Sequence, residues 1–155
     1  KPIFLNYPSL SLSRKEITEM NSKLLKIIVS FKPNIIYTHS PYDAHHDHRS
    51  TFEATLVASR PNKKVMIEEI ITFEIPSASE FSIYPNKKNF LPNYFVNIEK
   101  SINLKKSALS LYKNQLKKYP HMLSLKGITN LNSYRGNVVN LKYAEAFNII
   151  RKVNY

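Results

Sequence analysis

Residues 35–49 read Ile35-Ile36-Tyr37-Thr38-His39-Ser40-Pro41-Tyr42-Asp43-Ala44-His45-His46-Asp47-His48-Arg49. Ile35 to Thr38 is a short apolar run of the kind that forms a buried parallel strand. A polar, histidine-rich loop follows, from His39 to His48. Phe52, Ala54, Leu56 and Val57 then suggest a helix, closed by Pro61-Asn62. The histidines therefore fall between a strand and a helix, at the carboxyl end of the strand. Open α/β sheets bind their ligands there.

Working outward, Ile3-Phe4-Leu5 looks extended, and Pro8 ends that stretch. Ser13 stands three residues before Glu16, a capping-box spacing, and Ile17, Met20, Leu24, Ile27 and Ile28 follow at helical spacing. This predicts an amphipathic helix over about 14–31, broken by Lys32-Pro33-Asn34. Val65 to Glu74 reads as one strand, or as two with a break. Residues 75–93, with Pro76, Pro85 and Pro92, read as a long loop, and Tyr94-Phe95-Val96 as a short edge strand. Helices are predicted over about 101–119, 122–132 and 142–151. Tyr143 to Phe147 reads as core helix, with Glu145 paired internally. The expected fold is α/β, a mostly parallel sheet flanked by helices, in one domain over 1–155. No repeat or linker interrupts it.

The chain has 155 residues, 43% of them hydrophobic, enough for a sizeable core and too many for a disordered tail. Zero cysteines exclude disulfides and thiolate metal sites. Two glycines, Gly127 and Gly136, exclude a glycine-rich phosphate loop. No apolar run reaches the roughly 18–20 residues of a membrane-spanning helix. No signal peptide follows Lys1, so a cytoplasmic location is expected. The net charge of +12 is uneven: residues 1–81 hold 10 Lys/Arg against 9 Asp/Glu, and residues 82–155 hold 13 against 2. A basic half can attract nucleic acid, an anionic membrane or an anionic substrate, or be simply a solvated surface. No stacking-aromatic pattern or nucleic-acid fold signature accompanies it, so no nucleic-acid partner is expected.

Four of the five histidines lie between positions 39 and 48, interleaved with Asp43 and Asp47. Imidazole and carboxylate are the usual zinc ligands where Cys is absent, and a catalytic zinc needs three protein ligands plus an open position. A ligating histidine donates its other ring N–H to a carboxylate, a role open to Asp43 or Asp47. An exposed polar loop and adventitious metal binding are the plainer alternatives.

At this point the chain resembles the PIG-L/LmbE-like zinc deacetylases. Thr38-His39-Ser40-Pro41 with Asp43-Ala44-His45-His46-Asp47-His48-Arg49 is similar to that family's second motif, His-x-Asp-His, with His46 where Pro is common. Phe73-Glu74-Ile75-Pro76-Ser77, Pro92 to Ile98, Lys105 to Tyr112, Pro120-His121, Arg135-Gly136 and Tyr143 to Phe147 resemble its later segments, although Met122 and Leu123 depart from the pattern after Pro120-His121. The resemblance implies a Rossmann-like, LmbE-like α/β fold and zinc-dependent removal of an N-acetyl group from an amino sugar or its conjugate. It implies one Zn2+ per complete site. His48 would be a zinc ligand, His45 the histidine beside the metal-bound oxyanion, and Asp47 the carboxylate that orients it. Tyr42, Asp43, His121 and Arg135 are the candidates for binding substrate. Arg135 suits an anionic group because a guanidinium fork matches carboxylate and phosphate.

The family's first motif, "AHPDDE", supplies the other two ligands and the general base, and residues 1–155 contain no such stretch. The expectation is therefore the carboxyl-terminal portion of the fold, with two βαβ-sized units, on the order of 60 residues, supplied by an amino-terminal segment or a partner. A makeshift site from His39, His45 and His48 would need strained geometry. The rival readings are a non-catalytic basic binding module and an inactive or partner-completed remnant.

Overall fold

The computed structural model describes residues 1–9, 12, 14–81 and 89–155. Ser13 of the expected capping box, Pro85, and Lys87 and Lys88 of the basic half lie outside the described residues. The elements run α1 (Arg14–Phe31), β1 (Ile35–His39), α2 (His46–Ala58), β2 (Glu69–Phe73), β3 (Tyr94–Asn97), α3 (Ile102–Ser110), α4 (Leu125–Val138) and β4 (Ala144–Lys152). The sheet order is β1-β2-β4-β3.

α1 ends where predicted: Lys32 turns left-handed at φ 51° ahead of Pro33. It packs with α2 on one side of the sheet, where Ile28, Ala58, Val65, Ile67 and Ile70 form the main core. Thr38 and Thr55 join β1 to α2 through a buried hydroxyl pair at 3.2 Å. A second cluster of Leu12, Met20 and Ala54 is closed by Leu5 and Tyr7. Ile3-Phe4-Leu5 forms no strand, and Ile3 and Phe4 lie exposed.

The α/β class and helix-flanked sheet are as expected, but the sheet is mixed. β1 and β2 pair in parallel, with His39 opposite Phe73; β4 runs antiparallel to both β2 and β3. The cause is the carboxyl-terminal segment. Residues 142–151 read as helix because Ala and Glu favour it, yet 144–152 is a strand. Its place between β2 and β3 satisfies its backbone on both sides, and tertiary pairing overrides propensity. β1 is correspondingly an edge, not a buried strand: among the described residues its single neighbour is β2, and Ile35 and Tyr37 are exposed. The helix expected over 101–119 stops at Ser110, and the one over 122–132 runs instead from Leu125 to Val138.

Both glycines sit in α4, where the chain closes tightly. A Cβ on Gly136 would lie 2.6 Å from the Leu141 carbonyl oxygen and 2.9 Å from the Tyr143 nitrogen. One on Gly127 would lie 2.6 Å from the Met122 carbonyl oxygen. Backbone cannot yield as a side chain can, so Gly136→Ala is expected to destabilise the fold by about 1–3 kcal/mol, despite alanine's better helix propensity. Urea denaturation of the two proteins measures it; an unchanged midpoint would refute the close approach.

Candidate active site

The histidine-rich segment is half loop and half helix. α2 begins at His46, so His46, Asp47 and His48 lie in its first turn and His45 is its N-cap. The cap is made by an imidazole: His45 Nδ1 accepts the Asp47 backbone N–H at 3.2 Å. In neutral His45 that leaves the ring proton on Nε2.

Asp43 anchors the segment. It has no exposed surface. Its Oδ1 accepts the His45 backbone N–H at 2.9 Å, and its Oδ2 lies 3.1 Å from His48 Nδ1. Arg49 binds the turn from behind, donating to the Asp43 and Ala44 carbonyls at 2.7 and 2.6 Å. Tyr42 is half-buried, and its backbone N–H donates to Ser40 Oγ.

Three imidazoles stack beside this carboxylate. His39, the last residue of β1, lies 4.2 Å from His48 between ring centres, with planes 8° apart. His45 stacks on the same ring, 4.5 Å from His48 at 23°. Burial pushes the His39 imidazole down to about 4, and the nearby charge of His48 adds to this while Asp43 opposes it. His39 is therefore neutral at pH 7. Its ring also meets Phe73 at 5.1 Å.

These residues fit a metal as one ligand, not as a set. His48 carries a buried carboxylate behind Nδ1, the arrangement that orients a ligating imidazole through its other nitrogen. Both atoms are buried and neither has an aligned hydrogen bond elsewhere. A shared three-histidine site fails on geometry. Ligand lone pairs lie in the ring planes and must converge on one point at about 2.0–2.1 Å, whereas stacked rings hold theirs in parallel planes. Among the described residues no group of three His, Cys, Asp or Glu side chains is placed to hold a metal.

The other expected residues lie apart from this cluster. His121 sits exposed between α3 and α4, its Nδ1 accepting the Leu123 N–H. Arg135 is in α4, and its guanidinium forks onto Glu74, Nε to Oε1 at 2.9 Å and the second nitrogen to Oε2. Its charge is thus engaged by a carboxylate at the end of β2. Glu145 pairs with Lys105, an internal partner as expected, although it lies on a strand. Sequence reasoning left Glu74 and His39 outside the site residues. The signal for Glu74 was its place right after a strand, on the same sheet edge as His39.

Register lines up His39, Phe73, Phe147 and Tyr94 across all four strands. Tyr37 meets Phe147 edge-on at 5.5 Å. Tyr37, Phe73 and Phe147 line a cleft of about 520 Å³ together with Glu74, Lys105 and Glu145; none of the histidines lines it.

With this geometry in place, comparison with known proteins is informative. Residues 1–59 match the sequence pattern of the PIG-L family, described as GlcNAc-PI de-N-acetylase. This segment ends just beyond α2 and contains the whole histidine cluster. The resemblance read from the sequence holds over it. No curated protein sequence matches significantly. Among solved structures, the conserved protein TT1542 from Thermus thermophilus superposes with a TM-score of 0.71 at 21% identity, over 97% of this chain and 66% of that one. The N,N'-diacetylchitobiose deacetylase of Pyrococcus horikoshii gives 0.68 at 21% identity, over 94% and 55%. GalB of Pseudomonas putida, the 4-carboxy-2-hydroxymuconate hydratase, gives 0.65 at 18%, over 97% and 63%. The fold is that of the LmbE-like deacetylases, and the same fold also carries a hydratase. The chain spans between 55% and 66% of the length of these three structures.

A half-buried imidazole held neutral makes the fold acid-sensitive. The unfolded chain takes up a proton at His39 near its ordinary value of 6.5, the folded chain only near 4. Its contribution is complete above about pH 6.5 and is lost as pH falls toward about 4. Chemical denaturation across that window, in chelator, is expected to give a shallower decline for His39→Phe than for the parent. Parallel declines would show that His39 titrates normally in the fold.

Proposed function

We propose that this chain carries the second-motif side of a zinc-dependent N-deacetylase site, acting on an N-acetylated amino sugar or its conjugate. The observation that carries the reading is the buried Asp43 carboxylate behind His48, with His45 stacked on the same ring at the start of α2. The PIG-L match over residues 1–59 favours amide hydrolysis among the reactions this fold supports.

His48 would hold the metal through Nε2, with Asp43 fixing its ring. Bound zinc would polarise the amide carbonyl and acidify a water. His45 presents a proton on Nε2, because Nδ1 is occupied as the helix cap. That N–H can stabilise negative charge on the carbonyl oxygen. Asp47 holds His45 by its main-chain amide. The cleft is of ordinary ligand-pocket size, about 300–1,000 Å³, and its rings suit the faces of a sugar. A single imidazole is not a catalytic zinc site, so the remaining ligands and the general base belong to a segment or partner outside residues 1–155. The whole forms a single LmbE-like domain with that addition.

Three substitutions separate the roles, measured by acetate release and by metal content in protein containing the complete fold. His45→Ala is expected to lower kcat about 10²–10³-fold with metal retained, as for loss of an oxyanion donor. His48→Ala is expected to lose the metal. Asp43→Asn is expected to weaken metal affinity about 10–100-fold, as for loss of an outer-shell partner. A His48→Ala protein with unchanged metal and rate would end this reading.

A further inference from the structure

α3 and the chain after it are held to the body by very little. Ile102 is the helix's single buried residue, and Lys105 pairs with Glu145. Almost everything from Asn103 to His121 faces solvent. Large apolar side chains are included: Leu104 is 73% exposed, Leu111 79%, Tyr112 65% and Tyr119 56%. Such a run normally seeks cover. Lysines surround it. Between Glu99 and Lys126 there are seven lysines, at 100, 105, 106, 113, 117, 118 and 126, and Glu99 is the sole acidic residue. Lys113, Lys117 and Lys118 are exposed, and Lys126 lies 4.3 Å over the Tyr119 ring.

We infer that this projecting segment is a docking surface for an anionic lipid bilayer. The combination selects the occupant. Leucine and tyrosine enter the headgroup–acyl boundary while lysines meet the anionic heads around them. A nucleic acid would engage the lysines but leave Leu104 and Leu111 in water. A symmetric second copy would cover the leucines but bring two sets of lysines together. The inference does not rest on the metal-site reading, since Asp43, His45 and His48 lie outside the segment and Lys105 and His121 are not among the residues varied below.

The test is co-sedimentation of the full chain with phosphatidylcholine vesicles, with and without phosphatidylglycerol. Binding is expected only with the anionic lipid, and to weaken as salt rises. Lys113→Gln/Lys117→Gln/Lys118→Gln is expected to reduce partitioning about 100-fold, from the attraction each lysine has for an anionic surface. Leu104→Ser/Leu111→Ser is expected to reduce it about tenfold or more, from lost apolar burial. All five positions are exposed or outside the core, so circular-dichroism melts should match the parent. Equal sedimentation without phosphatidylglycerol, or full sedimentation of either variant, overturns the inference. So does a dimer that the leucine variant dissolves, or tighter binding to an RNA homopolymer that this variant leaves intact.

Discussion

The Asp43 carboxylate is the constraint on which the candidate site depends. An isolated buried carboxylate is costly, so it must be met by donors or positive charge. Here the His45 amide and His48 ring meet it, and Arg49 clamps the carbonyls on either side of the same turn. Each partner is thereby fixed. The amide sets where α2 begins; the start of α2 sets where His45 and His48 stand. With His48 placed, its ring faces are covered by His39 and His45. One carboxylate thus links the end of β1 to the first turn of α2.

The same sheet edge is organised from the other half of the chain. Glu74 follows Phe73, the register partner of His39, and it holds Arg135 of α4 through a two-bonded fork. This joins positions separated by 61 residues. Phe147 on β4 closes the row by meeting both Tyr37 and Tyr94. The antiparallel β4 is what allows this. Had residues 144–152 been helical, β3 would have lost its pairing partner and the aromatic row would not span the sheet.

Much of this was legible where the signal was local. The α1 limits followed from apolar spacing and Lys32-Pro33, and the position of the histidines followed from a strand run before them and a helix pattern after. The clustering of His45, Asp47 and His48 was visible for the same reason, being within four residues. What failed depended on distant partners. Ala-Glu-Ala-Phe favours helix until β2 and β3 are present to pair with it. Ile35 to Thr38 reads as a buried strand, although β1 is paired on one side. Arg135 looked free for an anion because Glu74 lies far away in sequence. Asp43 and Asp47 are interchangeable as letters, and only folding buries the first behind His48.

The stacking of the histidines explains why a cluster so dense supplies so little of a metal site. Face-to-face imidazoles exclude water and hold one another in place, and His39 consequently stays neutral beside His48. The same contact keeps their in-plane nitrogens from converging. His39 and His45 therefore act as walls for His48: one also meets Phe73 on the sheet, the other caps the helix start through Nδ1. In the proposed site, four histidines in ten residues would supply one oriented ligand, His48, and one oriented N–H donor, His45. The proposed hydrolytic centre would draw its other ligands from elsewhere, because His39, His45 and His48 are stacked on one another.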